Sequence, residues 1–367
     1  MPPSCQQESG WRQAVTTPGP SESAARGAEL LQIAEDEYRA YASDPLPGWG
    51  CRSLSLFDAR SSRLELDSRA QCGVFSVPFD STASSRIGSR EGPKSVREAS
   101  LVYGSQLRSR GVCKLVNTRT GAEVVTRERD LVDFGDGHVY ASDPWRQVRC
   151  TAAETYRVAS LCDLMVLIGG EHTISYPGYC GVAAALAKRG KTRLGYVQID
   201  HHFDFGNNSA LHGPYYHGSN ARRISEHPAS SARAIGFVGA GDLTLSAQLE
   251  QLKRAGMAVR TMADIRRQGF ETALREVLDQ VASNSDALYV SLDIDVCDAS
   301  VAPGTGHVTI GGLSAYELFT APAILQEYPL AAFDIMEVSP RYDVNGVTAH
   351  VAARFLFELL LLERVHR

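Results

Sequence analysis

The sequence has no block of basic residues. Its 37 Lys and Arg are outnumbered by 42 Asp and Glu, for a formal net charge of −5. That balance gives no pointer to nucleic acid or to an anionic membrane as a partner, and is mildly compatible with a cationic substrate. No apolar run is long enough to span a bilayer. The longest, within VAARFLFELLLLERVHR at the C-terminus, reads as a buried helix. The opening MPPSCQQESG lacks a charged region followed by an apolar one, so no secretory signal is expected. The eight cysteines form no CxxC pair, which argues against a zinc site of that spacing. Reduced thiols and a cytoplasmic protein are expected. Residues 1–27 have few large apolar side chains and predict a disordered tail. In the extension that follows (28–70), Leu30, Leu31, Ile33, Ala34 and Tyr38 fall at helical spacing and predict a helix. There is no internal repeat.

From Cys72 onward, short apolar runs end in polar or glycine clusters: CGVFSVPFD, DLVDFGDG, DLMVLIGGEH, RLGYVQIDHHFD, RAIGFVGAGD, GMAVRTMAD, ALYVSLDIDV and LAAFDIMEVSP. Each is strand length and apolar through its middle, as strands buried on both faces are. Helical stretches such as YPGYCGVAAALAKRG and FETALREVLDQVASN lie between them. The alternation predicts an α/β domain with helices on both faces of a mainly parallel sheet of about eight strands.

Ligand-type side chains stand at the ends of these runs. DLMVLIGG leads into Glu171 and His172, and GYVQI into Asp200, His201, His202, Phe203 and Asp204. LYVSL leads into Asp293 and Asp295, and FDIM into Glu337. Sites in open parallel sheets form beyond the carboxyl ends of the strands. Residues two apart in an extended segment point the same way, so Asp200, His202 and Asp204 are expected to converge, as are Asp293 and Asp295. Carboxylates gathered so closely would repel one another. Divalent cations remove that problem, and a carboxylate-rich set with imidazoles suits hard or borderline metals such as manganese. A lone DxD usually marks only a loop or a helix cap. Three such motifs jointly supplying six ligands are harder to explain in that way.

On these motifs the sequence resembles the ureohydrolase (arginase/agmatinase) family, most closely its agmatinase-like amidinohydrolases. GGEHT (169–173) resembles the family's GGDHS, DHHFD (200–204) its DAHxD, and SLDIDVCDASVAPGTG (291–306) its SxDxDxxDPxxAPGTG. VPFDSTASSRIGSREGPKSVREAS (77–100) and DIMEVSPRYDVNGVTAHVAAR (334–354) resemble its flanking signatures. The resemblance implies a three-layer α/β/α, arginase-like catalytic domain over residues 71–367, assembled as a homotrimer or homohexamer. It implies two manganese ions per chain, or nickel as in some relatives. His172 and Asp204 would serve the first ion, His202 and Asp295 the second, and Asp200 and Asp293 would bridge them. The implied reaction cleaves a guanidino compound to urea and an amine through a metal-bridging hydroxide, with Asp204 accepting a hydrogen bond from that hydroxide. Glu337 would pair with the guanidinium, and His217 in YYHGSNARR would shuttle a proton to the leaving amine, with His212 the alternative shuttle. A formimidoylglutamase-type hydrolase and a non-catalytic metal-binding protein are the competing readings.

The resemblance is weaker around the substrate. Asn220, taken with His217 and Glu337 as substrate-binding, and Ala221 stand where agmatinase-type relatives have Pro-Phe. Ala221 implies either a widened pocket or a neutral loop change. GHVTIGG (306–312) replaces the common GTPEPGG, and Phe205-Gly206 stands where arginases hold an α-amino acid with Asn. His201, in place of a small Ala, is expected to pack rather than to ligate. Glu171 and Thr173 replace Asp and Ser at positions behind the ligands.

Overall fold

The computed structural model describes residues 54–61, 69–111, 113–127 and 129–365. The expected tail at 1–27 and the helix expected within 28–42 lie outside the described residues. The strands in chain order are β1 (Arg60–Ser61), β2 (Ala70–Val77), β3 (Lys114–Asn117), β4 (Ala122–Thr126), β5 (Leu131–Asp136) and β6 (Cys162–Gly169), then β7 (Leu194–Ile199), β8 (Ile235–Val238), β9 (Ala258–Arg260), β10 (Ala287–Asp293), β11 (Leu330–Met336) and β12 (Leu362–Arg364). Nine form one sheet in the order β1-β5-β2-β6-β11-β10-β7-β8-β9. Every pair in it is parallel. All eight runs expected to be strands are in this sheet. The ninth is the exposed two-residue β1, which has no apolar run to announce it. A small antiparallel sheet, β12-β4-β3, is an addition that the sequence reading did not anticipate.

Helices cover both faces of the large sheet, so the domain has three layers. Leu164, Val166 and Ile168 of β6 and Leu288, Val290 and Leu292 of β10 face one core, and Met165, Leu167, Ala287 and Tyr289 face the other. This is the alternation of a strand buried on both sides. The helices that matter here are α1 (Gly92–Arg110), α2 (Pro144–Leu161), α3 (Ser175–Ala187), α4 (Asn220–Ser225), α5 (Phe270–Ala282) and α6 (Val347–Leu361). α5 and α6 close the first core, and α2, α3 and α4 close the second. α5 buries Phe270, Ala273, Leu274, Val277, Leu278 and Val281, the i, i+3, i+4, i+7 stripe of an amphipathic helix. α3 is buried all round from Ser175 to Leu186. It packs so tightly on α2 that a Cβ on Gly181 would lie 2.5 Å from the Ala152 carbonyl oxygen. α6 is the buried C-terminal helix expected from the apolar run.

The connection from β6 to β7 skips two positions, which β11 and β10 later fill. The carboxyl ends of β6, β11, β10 and β7 therefore lie side by side in the middle of the sheet. Among the described residues no helix is long and apolar enough to cross a membrane. Among the described residues, Cys72, Cys113, Cys162, Cys180 and Cys297 are free thiols.

Candidate metal centre

Where β6 ends, Gly169 and Gly170 admit no side chain. A Cβ would lie 1.9 Å from Met336 Sδ in the first case and 2.0 Å from the Phe79 carbonyl oxygen in the second. This close approach locks the turn carrying His172 to the end of β11. The Glu337 amide donates to the Gly170 carbonyl at 2.8 Å, and the His172 amide donates to Glu337 Oε1 at 2.9 Å. At the ends of β7 and β10 the carboxylates converge by a different device from the extended alternation expected above. Asp200 Oδ1 accepts from the His202 amide at 2.6 Å, and Asp293 Oδ1 from the Asp295 amide at 2.9 Å. Each strand thus ends in a turn held by an aspartate side chain, and Asp295 lies in a short 3-10 turn, Ile294–Val296. Asp204 (φ 44°) and Glu337 (φ 63°) adopt left-handed backbone conformations. These are uncommon for residues with a Cβ and concentrate at functional sites.

The ligand-type atoms form two groups, each within 4.8 Å: His172, Asp200, Asp204 and Asp293, and beside them His202, Asp295 and His307. His172 Nδ1 lies 3.1 Å from Asp200 Oδ2, 2.9 Å from Asp204 Oδ2 and 3.0 Å from Asp293 Oδ2. His202 Nδ1 lies 3.4 Å from Asp200 Oδ1 and 3.2 Å from Asp295 Oδ2. Asp200 therefore offers one oxygen to each group. The far nitrogen of His172 has its own partner: Nε2 is 2.9 Å from Ser291 Oγ, which donates to Asp334 Oδ1 at 2.5 Å. A hydroxyl has one proton to give. With Ser291 donating to Asp334, neutral His172 carries its proton on Nε2, so Nδ1 is the nitrogen left open to an ion once its own proton is lost. On His202, Nε2 faces Asp242 Oδ2 at 3.8 Å. A hydrogen-bonded outer nitrogen, as on His172, orients an imidazole for metal coordination.

The donor set fits a pair of divalent cations. Burial, then repulsion from Asp200, pushes both Asp204 and Asp295 up to about 6. Burial, then Asp295 and Asp200, raises Asp293 well above the carboxylate range. Bound cations invert that cost. The buried His172 Nδ1 and Asp295 Oδ1 have no hydrogen-bond partner, which matches atoms held ready for coordination.

Around these groups the structure places the remaining site residues unevenly. Glu337 is nearly buried, and its Oε1 lies 4.0 Å from His217 Nδ1. His217 Nε2 lies 3.0 Å from Ser84 Oγ, and burial lowers the imidazole to about 4. Asn220 is not at the opening. It is 1 % exposed and gives Nδ2 to Tyr196 Oη at 3.0 Å and to Gln198 Oε1 at 3.3 Å. Gln198 in turn donates to Asp200 Oδ2 at 2.7 Å. Ala221 is fully buried in the core, so its small side chain fills packed space rather than widening an entrance. His201 is buried beside Gly241. Glu171 is fully buried behind His172, accepting from the Thr82 amide and hydroxyl and from Thr173 Oγ1. His307 is not among the ligands expected from the sequence; its signal is the departure GHVTIGG, which sequence alone presents only as a change near the substrate.

A family profile described as the Arginase family matches residues 70–362. The human protein named guanidino acid hydrolase, mitochondrial, is 29% identical over 356 residues, covering 94% of this chain and 94% of its own. A Pseudomonas aeruginosa protein named guanidinopropionase is 30% identical over 293 residues, 80% of this chain and 86% of its own. The solved structure of proclavaminate amidino hydrolase from Streptomyces clavuligerus superposes with a TM-score of 0.70 at 24% identity, covering 84% of this chain and 95% of that one. With a match across most of its length and that family's fold, the chain belongs to the arginase family and is a hydrolase.

Proposed function

We infer that this hydrolase cleaves a guanidino compound to urea and an amine, using two divalent ions, with manganese expected and nickel the alternative. His172, Asp200, Asp204 and Asp293 would hold one ion and His202 and Asp295 the other, with Asp200 and Asp293 shared. The observation that carries this reading is the pair of ligand groups joined through Asp200 and flanked by Glu337. Ions bound there would supply Lewis acidity and a nucleophile drawn from water at neutral pH. The protein supplies the rest. Glu337, fixed by the His172 amide, would take the planar guanidinium through charge-assisted hydrogen bonds and orient its carbon. Asp204 would hold the proton of the attacking water. His217, neutral at pH 7 because burial lowers it to about 4, would take a proton and pass it to the leaving amine. Asn220 would position Asp200 through Gln198.

The names of the relatives favour a guanidino acid over agmatine. Incubating the manganese- or nickel-loaded chain with 3-guanidinopropionate, 4-guanidinobutyrate, agmatine and arginine, and assaying urea, tests the reading. Urea from a guanidino acid is the expected result, and no urea from any of them overturns it.

A further inference from the structure

The second ligand group is richer in nitrogen than the motifs of the sequence imply. The first group offers one imidazole and three carboxylates, while the second offers two imidazoles and Asp295. His307 is the addition. Its ligand atom lies within 4.8 Å of those of His202 and Asp295, and its ring meets the His202 ring edge-on, with centroids 4.5 Å apart. The neighbouring Asp242, Asp293 and Asp200 also act on it electrostatically. Asp295 is 3 % exposed, and its Oδ1 is buried without a partner.

The backbone holds His307 in place from both sides. Thr305 bridges Val338, next to Glu337. The Ser339 amide donates to the Gly304 carbonyl at 2.7 Å. Two residues beyond His307, the Thr309 carbonyl accepts from the Ala299 amide at 2.8 Å. The imidazole thus projects from a segment anchored to β11's exit on one side and β10's exit on the other.

We propose that His307 is a ligand of the second metal ion, giving that site two imidazoles and a preference for a borderline cation such as cobalt or nickel over manganese. Imidazole favours such borderline ions, whereas carboxylate suits manganese. With Asp200 and Asp293 shared, each site has three carboxylates and the second has one imidazole more, so the first would accept manganese readily and the second discriminate against it. This inference rests on the two-ion reading above.

The test is metal binding to the chelator-treated full chain, with cobalt alone and manganese alone as probes, followed by calorimetry and by the visible absorption of bound cobalt. The wild-type chain should bind two cobalt ions. His307→Ala should keep the first and weaken the second at least about 10-fold, with a changed visible spectrum and a smaller loss for manganese. His307→Asp, which replaces nitrogen by oxygen, should restore the second ion while lowering its cobalt-to-manganese preference. Unchanged cobalt affinity and spectrum in His307→Ala would overturn the proposal and leave the two-ion reading standing. Fewer than two ions on the wild-type chain would overturn both.

Discussion

At the scale of single residues, the site is built from paired roles. Both candidate ligand imidazoles turn Nδ1 inward; His172 Nε2 is hydrogen-bonded to Ser291, while His202 Nε2 only faces Asp242 at 3.8 Å. Ser291 points its proton at Asp334, whose other oxygen accepts a hydrogen bond from the Tyr289 hydroxyl at 2.7 Å, so both carboxylate oxygens act as acceptors. Ser291→Ala should therefore weaken the first ion by about 10–100-fold, the range for loss of an outer partner, with little change in the second. Manganese titration of the variant reads this directly. Equal affinity in variant and wild type would show that the tautomer is set elsewhere. The six candidate ligands were legible in the sequence because each sits at the end of an apolar run, where strand and chemistry announce themselves together. Asn220 and His307 were not. Asn220 borders the family's histidine motif and was read as facing the substrate, whereas its burial depends on Tyr196 and Gln198, 22 or more positions away. His307 has no neighbouring ligand in sequence, and only the return of its loop to β11 brings it to His202.

At the scale of elements, one buried cation holds several of them together. Arg97 of α1 gives Nε and Nη2 to the two oxygens of Asp133 at 2.8 and 2.9 Å, Nη1 to Asp136 at 2.5 Å, and Nη2 to Ser76 at 2.8 Å. Asp133 also accepts from the Leu56 amide at 2.8 Å. One guanidinium therefore ties α1, β2, β5 and the segment before β1. Removing one partner from a buried network leaves uncompensated charge. Arg97→Met should cost about 3–5 kcal/mol in urea unfolding. A cost near the roughly 0.5 kcal/mol of ordinary surface changes would show that the network is dispensable. Nothing in the sequence marks this network, since Arg97 and Asp133 are 36 residues apart and each looks like a surface charge in its own segment. The strands were far more legible, because burial on both faces writes itself into an unbroken apolar run. β3, β4 and β12 lie in a small sheet beside the main one, and half-buried segments such as KLVN carry no such run.

At the scale of the whole molecule, gathering four aspartates and Glu337 in the centre of the sheet couples stability to both metal and pH. Stability falls with rising pH wherever the folded state binds more protons than the unfolded one. In the metal-free protein, burial pushes Glu171 up to about 7 and, with neighbouring carboxylates, raises Asp293 and Glu337 well above their usual range. Burial opposes the charging of His172 and His202, but the surrounding aspartates outweigh it and raise both. All five shifts make the folded state the better proton binder between pH 6.5 and 8, so its stability should drop across that window. Below about 6.5 the sign is opposed by His217 and His227, which burial lowers to about 4. Their neutral forms are favoured by folding, and that stability is lost as pH falls toward 4. With ions bound the order reverses, because ligands must be deprotonated to coordinate and a cation that binds only the folded state stabilises it more as its affinity rises. Calorimetric melting at pH 6.5 and 8, with chelator and with saturating manganese, should give opposite slopes: a higher Tm at pH 6.5 without metal and at pH 8 with it. Parallel slopes in the two conditions would show that the carboxylate cluster neither strains the metal-free fold nor binds the ions that relieve it.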